Sequence, residues 1–96
     1  AANQQPRLID LTTNRSFPIT KAQIVMGRAL SSDIAIEDLN VSRTHAEIRR
    51  ENANAWSVAD LGSTNGTLVN NRRITRCPLR NGDLLTFGLS TFEFRG

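Results

Sequence analysis

Three short stretches hold most of this chain's polar chemistry. The first is Gly27-Arg28, which follows the apolar run Ile24-Val25-Met26. The second is Asp38-Leu39-Asn40-Val41-Ser42-Arg43-Thr44-His45, and the third is Asp60-Leu61-Gly62-Ser63-Thr64-Asn65-Gly66-Thr67. Together they offer two guanidinium forks, several hydroxyls, an amide and many backbone N–H groups near glycines. These groups are donors. A donor-rich surface with few acidic groups is what a phosphate requires, because its oxygens accept.

Each piece alone has a plainer explanation. Arg28 alone is a solvated arginine at a strand end. Ser42 and Thr64 alone are turn residues that satisfy local backbone, and Asn65-Gly66 alone is a turn signal. His45 is the single histidine and has no partner ligands for a metal, so a buried structural role, bonded through its ring to backbone, is favoured. Ser42, His45 and Asp60 could be posed as nucleophile, base and orienter. A triad is a geometry rather than a set of residue types, however, and Ser42 is not on a sharp nucleophile elbow. The P-loop pattern and any dinucleotide fingerprint are absent. These readings point to a binding module rather than an enzyme, with no cofactor and no metal.

Strands must position the three stretches. No window carries apolar residues at i, i+3, i+4 and i+7, so no helix is predicted. Short apolar or alternating runs recur instead, bounded by turn residues. They are Leu8 to Leu11, Phe17 to Ile19, Ile24 to Met26, Ile34 to Ile36, His45 to Arg50, Trp56 to Ala59, Leu68-Val69, Arg72 to Ile74, Leu84 to Phe87 and Thr91 to Phe94. Ala46 and Ile48 share one side of their strand, and Trp56 and Val58 are expected inward. Thr13-Asn14 and Gly88-Leu89-Ser90 read as hairpin turns. Asn70-Asn71 suits a two-residue hairpin because Asn tolerates positive φ. About ten short, closely spaced strands predict an all-β sandwich. Alternate strand ends then point the same way, so the three stretches can gather at one end.

The chain's 96 residues suit one domain with one core, and 39% apolar residues is an ordinary globular share. Residues 1–6 are expected as a loose tail, and 7–95 as one unit. The polar start without Met reads as a piece of a longer protein. No apolar run is long enough to cross a bilayer, and no signal peptide is visible. Cys77, the single cysteine, cannot form an internal disulfide and reads as a small hydrophobe beside Pro78. Such a core fits a reducing, cytoplasmic setting. Twelve basic residues stand against nine acidic ones, for a net charge of +3, and all but one of the basic residues are Arg. Arg bonds phosphate oxygens bidentately, which Lys does not. An anionic partner is therefore permitted: nucleic acid, phosphopeptide or an acidic surface. Arg72, Arg73, Arg76 and Arg80 could form a basic strip for nucleic acid. Aromatic residues are only 5%, and the Phe positions look like core, which leaves few platforms for stacking bases.

As an ordered series, these stretches resemble the forkhead-associated (FHA) domain family, in its bacterial form. Gly27-Arg28 comes first, then Asp33-Ile34-Ala35-Ile36. Val41-Ser42-Arg43-Thr44-His45-Ala46 is similar to the family's Ser-Arg-x-His element, and Asp60 to Thr67 to its Ser-x-Asn-Gly element. Val69-Asn70 and Leu79 to Asp83 complete the pattern. The resemblance covers residues 7 to 95 and implies a two-sheet β-sandwich of about eleven strands. It also implies phosphothreonine recognition on a partner protein, a Ser/Thr kinase or its substrate, with no nucleic acid or membrane contact. By the same resemblance, Arg28, Ser42 and Thr64 face the phosphate and Asn65 bonds the peptide backbone. Arg43, where the family varies, touches phosphate or peptide. Gly27 and His45 are structural, His45 holding the binding loops, and Gly66 permits the tight turn. Asn40 and the loop from Ala29 to Ser32 help choose the residue downstream of the phosphothreonine.

Overall fold

The computed structural model describes residues 5–53 and 55–96. Among them there are eleven strands and no helix. In chain order these are β1 (Arg7–Asp10), β2 (Ser16–Pro18), β3 (Gln23–Gly27), β4 (Ile34–Ala35), β5 (Ala46–Asn52), β6 (Ala55–Asp60), β7 (Thr67–Val69), β8 (Arg72–Ile74), β9 (Arg76–Leu79), β10 (Leu84–Phe87) and β11 (Ser90–Arg95). One sheet has the order β2-β1-β11-β10-β7-β8 and the other β4-β3-β5-β6-β9. The β-sandwich expected from the strand spacing is therefore the fold.

Alternation along the strands decides which side chains lie between the sheets. In β5, Ala46 and Ile48 are buried while Arg49 and Arg50 are exposed. The buried residues meet across the ladders: Leu8 opposite Phe94, Leu85 opposite Phe92, Ile24 and Val58 on either side of Ile48, and Met26 opposite Ala46. Cross-strand apolar pairs of this kind fix register, because a one-residue slip would turn every one of them outward. Phe87 and Phe92 are the largest fully buried side chains. Burying each contributes about 1.5–3 kcal/mol.

The turns form where residue chemistry allows them. Asn70 and Asn71 both have positive φ, at 51° and 69°, and join β7 to β8 as the two-residue hairpin foreseen from Asn-Asn. Strand β9 was not read from the sequence, because Pro78 interrupts the run Arg76 to Leu79. It lies at a sheet edge, where a missing N–H is tolerated. The other edges are likewise blunted. β2 carries Pro18, β4 is two residues long, and β8 carries Arg72 and Arg73. Trp56, expected inward, is half-buried, whereas its neighbour Ser57 is buried with its hydroxyl donating to Glu51. Of the expected loose tail, residues 1–4 lie outside the described residues. Gln5 and Pro6 are tied to Ile19, through the Gln5 side-chain amide on the Ile19 carbonyl and the Ile19 N–H on the Pro6 carbonyl.

Gly27 ends β3, His45 precedes β5, Asp60 ends β6 and Thr67 opens β7. These strands neighbour one another within each sheet and mostly run antiparallel, so all three polar stretches emerge at one end of the sandwich.

Candidate functional site

The first loop leaves β3 at Gly27. A Cβ on Gly27 would lie 2.1 Å from the Arg43 carbonyl oxygen, so only glycine lets β3 run this close to the second loop. That approach creates the next contacts. The Arg28 N–H donates to the Ser42 carbonyl at 2.9 Å and the Ala29 N–H to the Arg43 carbonyl at 3.2 Å. The Arg28 side chain turns back and its Nε donates to the Val41 carbonyl at 3.1 Å. One edge of the guanidinium is thereby fixed. Among the described residues no carboxylate pairs with it. Arg28, Ala29, Leu30, Ser31 and Arg43 line a shallow hollow of about 420 Å³, so the two expected arginines face one space.

The second loop is held from both sides. Asp38 accepts from the Asn40 N–H, the Leu89 N–H and the Ser90 hydroxyl, at 2.8, 2.8 and 2.9 Å, which ties this loop to the β10–β11 hairpin. Gly88, at φ +61°, allows the hairpin to come in, because a Cβ there would lie 2.8 Å from the Asn40 backbone. Burial pushes the Asp38 carboxyl up, but the hydrogen bonds from Asn40, Leu89 and Ser90 outweigh it and hold it below its usual range.

Asp60 organises the third loop. Its Oδ2 accepts from the Gly62 and Ser63 N–H groups, both at 3.1 Å, and its Oδ1 from the Ser63 and Thr67 hydroxyls. The Ser63 oxygen in turn accepts from the Gly66 N–H at 2.9 Å. Gly66 has φ +84°, which few other residues adopt. Burial raises the Asp60 carboxyl, but hydrogen bonds from the Ser63 and Thr67 hydroxyls and from the Ser63 backbone prevail, and it too sits below the ordinary carboxylate value.

Two links then join the second and third loops. The Thr64 N–H donates to Ser42 Oγ at 3.0 Å, and the Asn65 amide donates to the Asn40 carbonyl at 2.7 Å. Accepting from Thr64 orients the Ser42 hydroxyl and leaves its proton to donate outward. His45 lies beneath, fully buried. Its Nδ1 accepts from the Ser42 N–H at 3.0 Å, so its Nε2 carries the hydrogen and donates to the Gly66 carbonyl at 2.8 Å. Phe87 packs edge-on against the ring, 5.4 Å between centroids. His45 also accepts the Leu61 N–H and donates its own N–H to the Met26 carbonyl.

Arg28, Ser42, Arg43, Thr64 and Asn65, chosen from sequence, are thus one connected surface, and Gly27, His45 and Gly66 lie under it. Asp38, Asp60 as loop organiser, Ser63 and Gly88 were missed. Asp60 and Ser63 carry a readable signal, an Asp followed three residues later by Ser and then a glycine. Asp38 and Gly88 carry none, since their contacts lie some fifty positions away along the chain.

The arrangement is suited to holding an anion. It exposes guanidinium and hydroxyl donors, while both nearby Asp carboxylates are already saturated by N–H and O–H groups. Nucleophile, base and orienter do not assemble: the Ser42–His45 hydrogen bond runs through the Ser42 backbone, and both ring nitrogens serve backbone groups. The basic strip is divided between the sheets. Arg72 and Arg73 lie on β8, and Arg76 on β9 is paired with Glu51.

A family model described as the FHA domain matches residues 24–88. The glycogen accumulation regulator GarA of Mycobacterium tuberculosis is 44% identical over 72 residues, which is 75% of this chain and 44% of that protein. The chain therefore spans less than half the length of this relative. A domain solved in a study of phosphothreonine-dependent FHA domain interactions superposes with a TM-score of 0.89 at 31% identity, over 97% of both chains. Mycobacterium tuberculosis EmbR, solved with a low-affinity phosphopeptide, superposes with a TM-score of 0.91 at 31% identity, over 97% of this chain and 24% of that one.

Proposed function

The chain belongs to the FHA domain family, and from that premise we propose that its three loops bind a phosphothreonine on a partner protein. The sandwich from residue 7 to 95 is the binding module, and it reads the product of a Ser/Thr kinase rather than carrying out a reaction. The partner is a phosphorylated kinase or kinase substrate, met in the cytoplasm. Arg28 holds the phosphate with its free guanidinium edge, Ser42 donates its hydroxyl proton, and the Thr64 hydroxyl and Arg43 complete the cradle. Asn65 bonds the peptide backbone beside the phosphothreonine. His45, Gly27 and Gly66 position these groups without touching the ligand.

The observation that carries this reading is the pre-set geometry of Arg28 and Ser42. Each is fixed by a backbone partner on a neighbouring segment, Val41 for the arginine and Thr64 for the serine. Their donors are therefore ordered before the ligand arrives, and little side-chain entropy is lost on binding. A phosphothreonine brings about −1.5 to −2 charges and three strong acceptor oxygens. Each hydrogen bond to a charged group contributes about 1.5–3 kcal/mol, so three of them with backbone bonds suffice for micromolar binding, about −8 kcal/mol. Removing the phosphate removes most of that affinity, as a switchable reader requires.

Calorimetric titration with one peptide in phosphothreonine, phosphoserine and unmodified forms tests the reading. A degenerate sequence around the central residue avoids presuming the partner. Binding of the phosphothreonine form alone is expected. Arg28→Ala and Ser42→Ala are expected to abolish it while shifting the melting temperature by only a few degrees, about the effect of one lost hydrogen bond. Equal binding of all three forms, or undiminished binding by the variants, would reject it.

A further inference from the structure

Arg73 lies on β8, an edge strand, opposite Leu68. Edge-strand arginines are ordinarily exposed, as Arg73 is. This one is laid across the third loop: a Cβ on Gly66 would lie 2.7 Å from Arg73 Nε and 3.0 Å from its Cζ. The guanidinium thus covers Gly66, next to Asn65 and two residues from Thr64. Yet among the described residues no carboxylate pairs with it, and the nearby Asp60 has both oxygens occupied by loop donors. A fork of charged donors therefore lies exposed at the margin of the binding surface, with its donor capacity unspent. It reaches over the third loop from β8, whereas Arg28 and Arg43 belong to the first and second loops.

We propose that Arg73 is a specificity-determining residue that pairs with an acidic side chain flanking the phosphothreonine, on the side of the peptide that runs over Thr64 and Asn65. The inference rests on the phosphothreonine reading of the site. A carboxylate is the ligand chemistry that fits. A planar guanidinium fork matches a carboxylate in two parallel hydrogen bonds, and the phosphate itself is already served by the donors of the three loops. The module then selects phosphothreonines in acidic surroundings from those in neutral ones.

The test is a ratio of affinities. The full chain is titrated with a phosphothreonine peptide of otherwise neutral residues, and with a series in which one glutamate steps through each flanking position. The unaltered chain should bind at least one glutamate peptide about threefold to tenfold more tightly than the neutral one, the range between an exposed pair and a bidentate one. Arg73→Met keeps the aliphatic cover over Gly66 and removes the fork, and should bring that ratio to one. Arg73→Glu should invert it and should favour the matching lysine peptide. A general weakening of the loop would lower both affinities and leave the ratio intact, as would a long-range effect of the Arg73 charge on the phosphate that all these peptides share. A ratio near one in the unaltered chain at every position, or a preference that survives in Arg73→Met, overturns the proposal. If the unaltered chain binds none of the phosphothreonine peptides, the reading of the site itself has failed, and this inference falls with it.

Discussion

His45 Nε2 donates to the carbonyl oxygen of Gly66 at 2.8 Å while its Nδ1 accepts from the N–H of Ser42 at 3.0 Å, so one buried ring spans two loops that are otherwise distant in the chain. The histidine holds in place Ser42, to which the proposed reading gives a phosphate contact, and the turn that carries Asn65. His45→Ala leaves the part-buried Ser42 N–H and the buried Gly66 C=O without partners and opens a cavity beside Phe87. The unsatisfied Gly66 carbonyl costs about 1–3 kcal/mol, the part-buried Ser42 N–H costs less and the cavity adds to both, so urea unfolding should show a loss of about 2–5 kcal/mol. Phosphopeptide affinity should fall as well, although the proposed reading gives His45 no contact with the ligand. A variant as stable as the parent would remove the ring from its assigned role.

Gly27→Ala places a methyl 2.1 Å from the Arg43 carbonyl oxygen. Backbone cannot swing aside as a side chain can. The second loop must move or β3 must give way, at about 1–3 kcal/mol, and phosphopeptide binding should weaken with it. Gly62→Ala makes the contrast. Nothing lies within 4 Å of the added methyl and only the positive φ opposes it, so about 1 kcal/mol is expected with binding retained. Thermal unfolding of the two variants side by side would reveal whether crowding or backbone angle dominates.

Arg28→Lys keeps the charge and loses the geometry. Lysine has no planar fork with one edge to rest on the Val41 carbonyl and the other to meet a phosphate. Affinity for a phosphothreonine peptide should drop at least tenfold, which titration calorimetry would measure directly. Retention of full affinity would mean that charge alone suffices at this position.

Acid should loosen the third loop. The Asp60 carboxyl is held below its ordinary value in the folded chain, so the unfolded chain binds its proton first as pH falls. The stability from this group is complete above the unfolded value, about pH 4, and is lost as pH drops through the lower folded value. Asp33 and Asp38 are shifted in the same direction and add to the same limb. Asp60→Asn puts an amide donor where N–H and O–H donors already converge. It should be less stable at neutral pH, and its stability should fall less between about pH 4 and pH 2. Chemical denaturation across that range measures the difference, and curves of equal slope would dismiss the carboxylate as the source.

Much of this was legible from residue type. Asn70-Asn71 announced a two-residue hairpin because asparagine tolerates left-handed backbone. Ala46, Ile48 and Val58 announced an inner face by alternation. Other elements were hidden for identifiable reasons. β9 is masked by Pro78, which is acceptable only because β9 is an edge, and edge position is a property of the whole sheet. Trp56 alternates as a core residue should, yet it sits near the margin of the five-stranded sheet, where burial is incomplete. At the candidate site, the donors that the three loops bring together could be picked out by residue type. The ones that hold them could not. Asp38 looks like any acidic turn residue until the β10–β11 hairpin folds against it, and Gly88 looks like a simple turn glycine until Asn40 stands beside it. Arg73 reads as part of a surface strip, and only the path of β8 shows that it rests on Gly66.

The pairing of β1 with β11 brings Arg7 opposite Arg95. β11 runs six residues away from the Leu89 turn that touches Asp38, about 20 Å at the usual rise, in a body 38 Å long. Both strands therefore end side by side, well removed from the loops that carry Arg28, Ser42 and Asn65. Any polypeptide joined at either point has one anchorage, and the grip faces away from it. Such a head could be transplanted to a new host sequence, or reordered by closing its neighbouring ends and cutting between β5 and β6, while its hold on a phosphorylated partner stayed unobstructed.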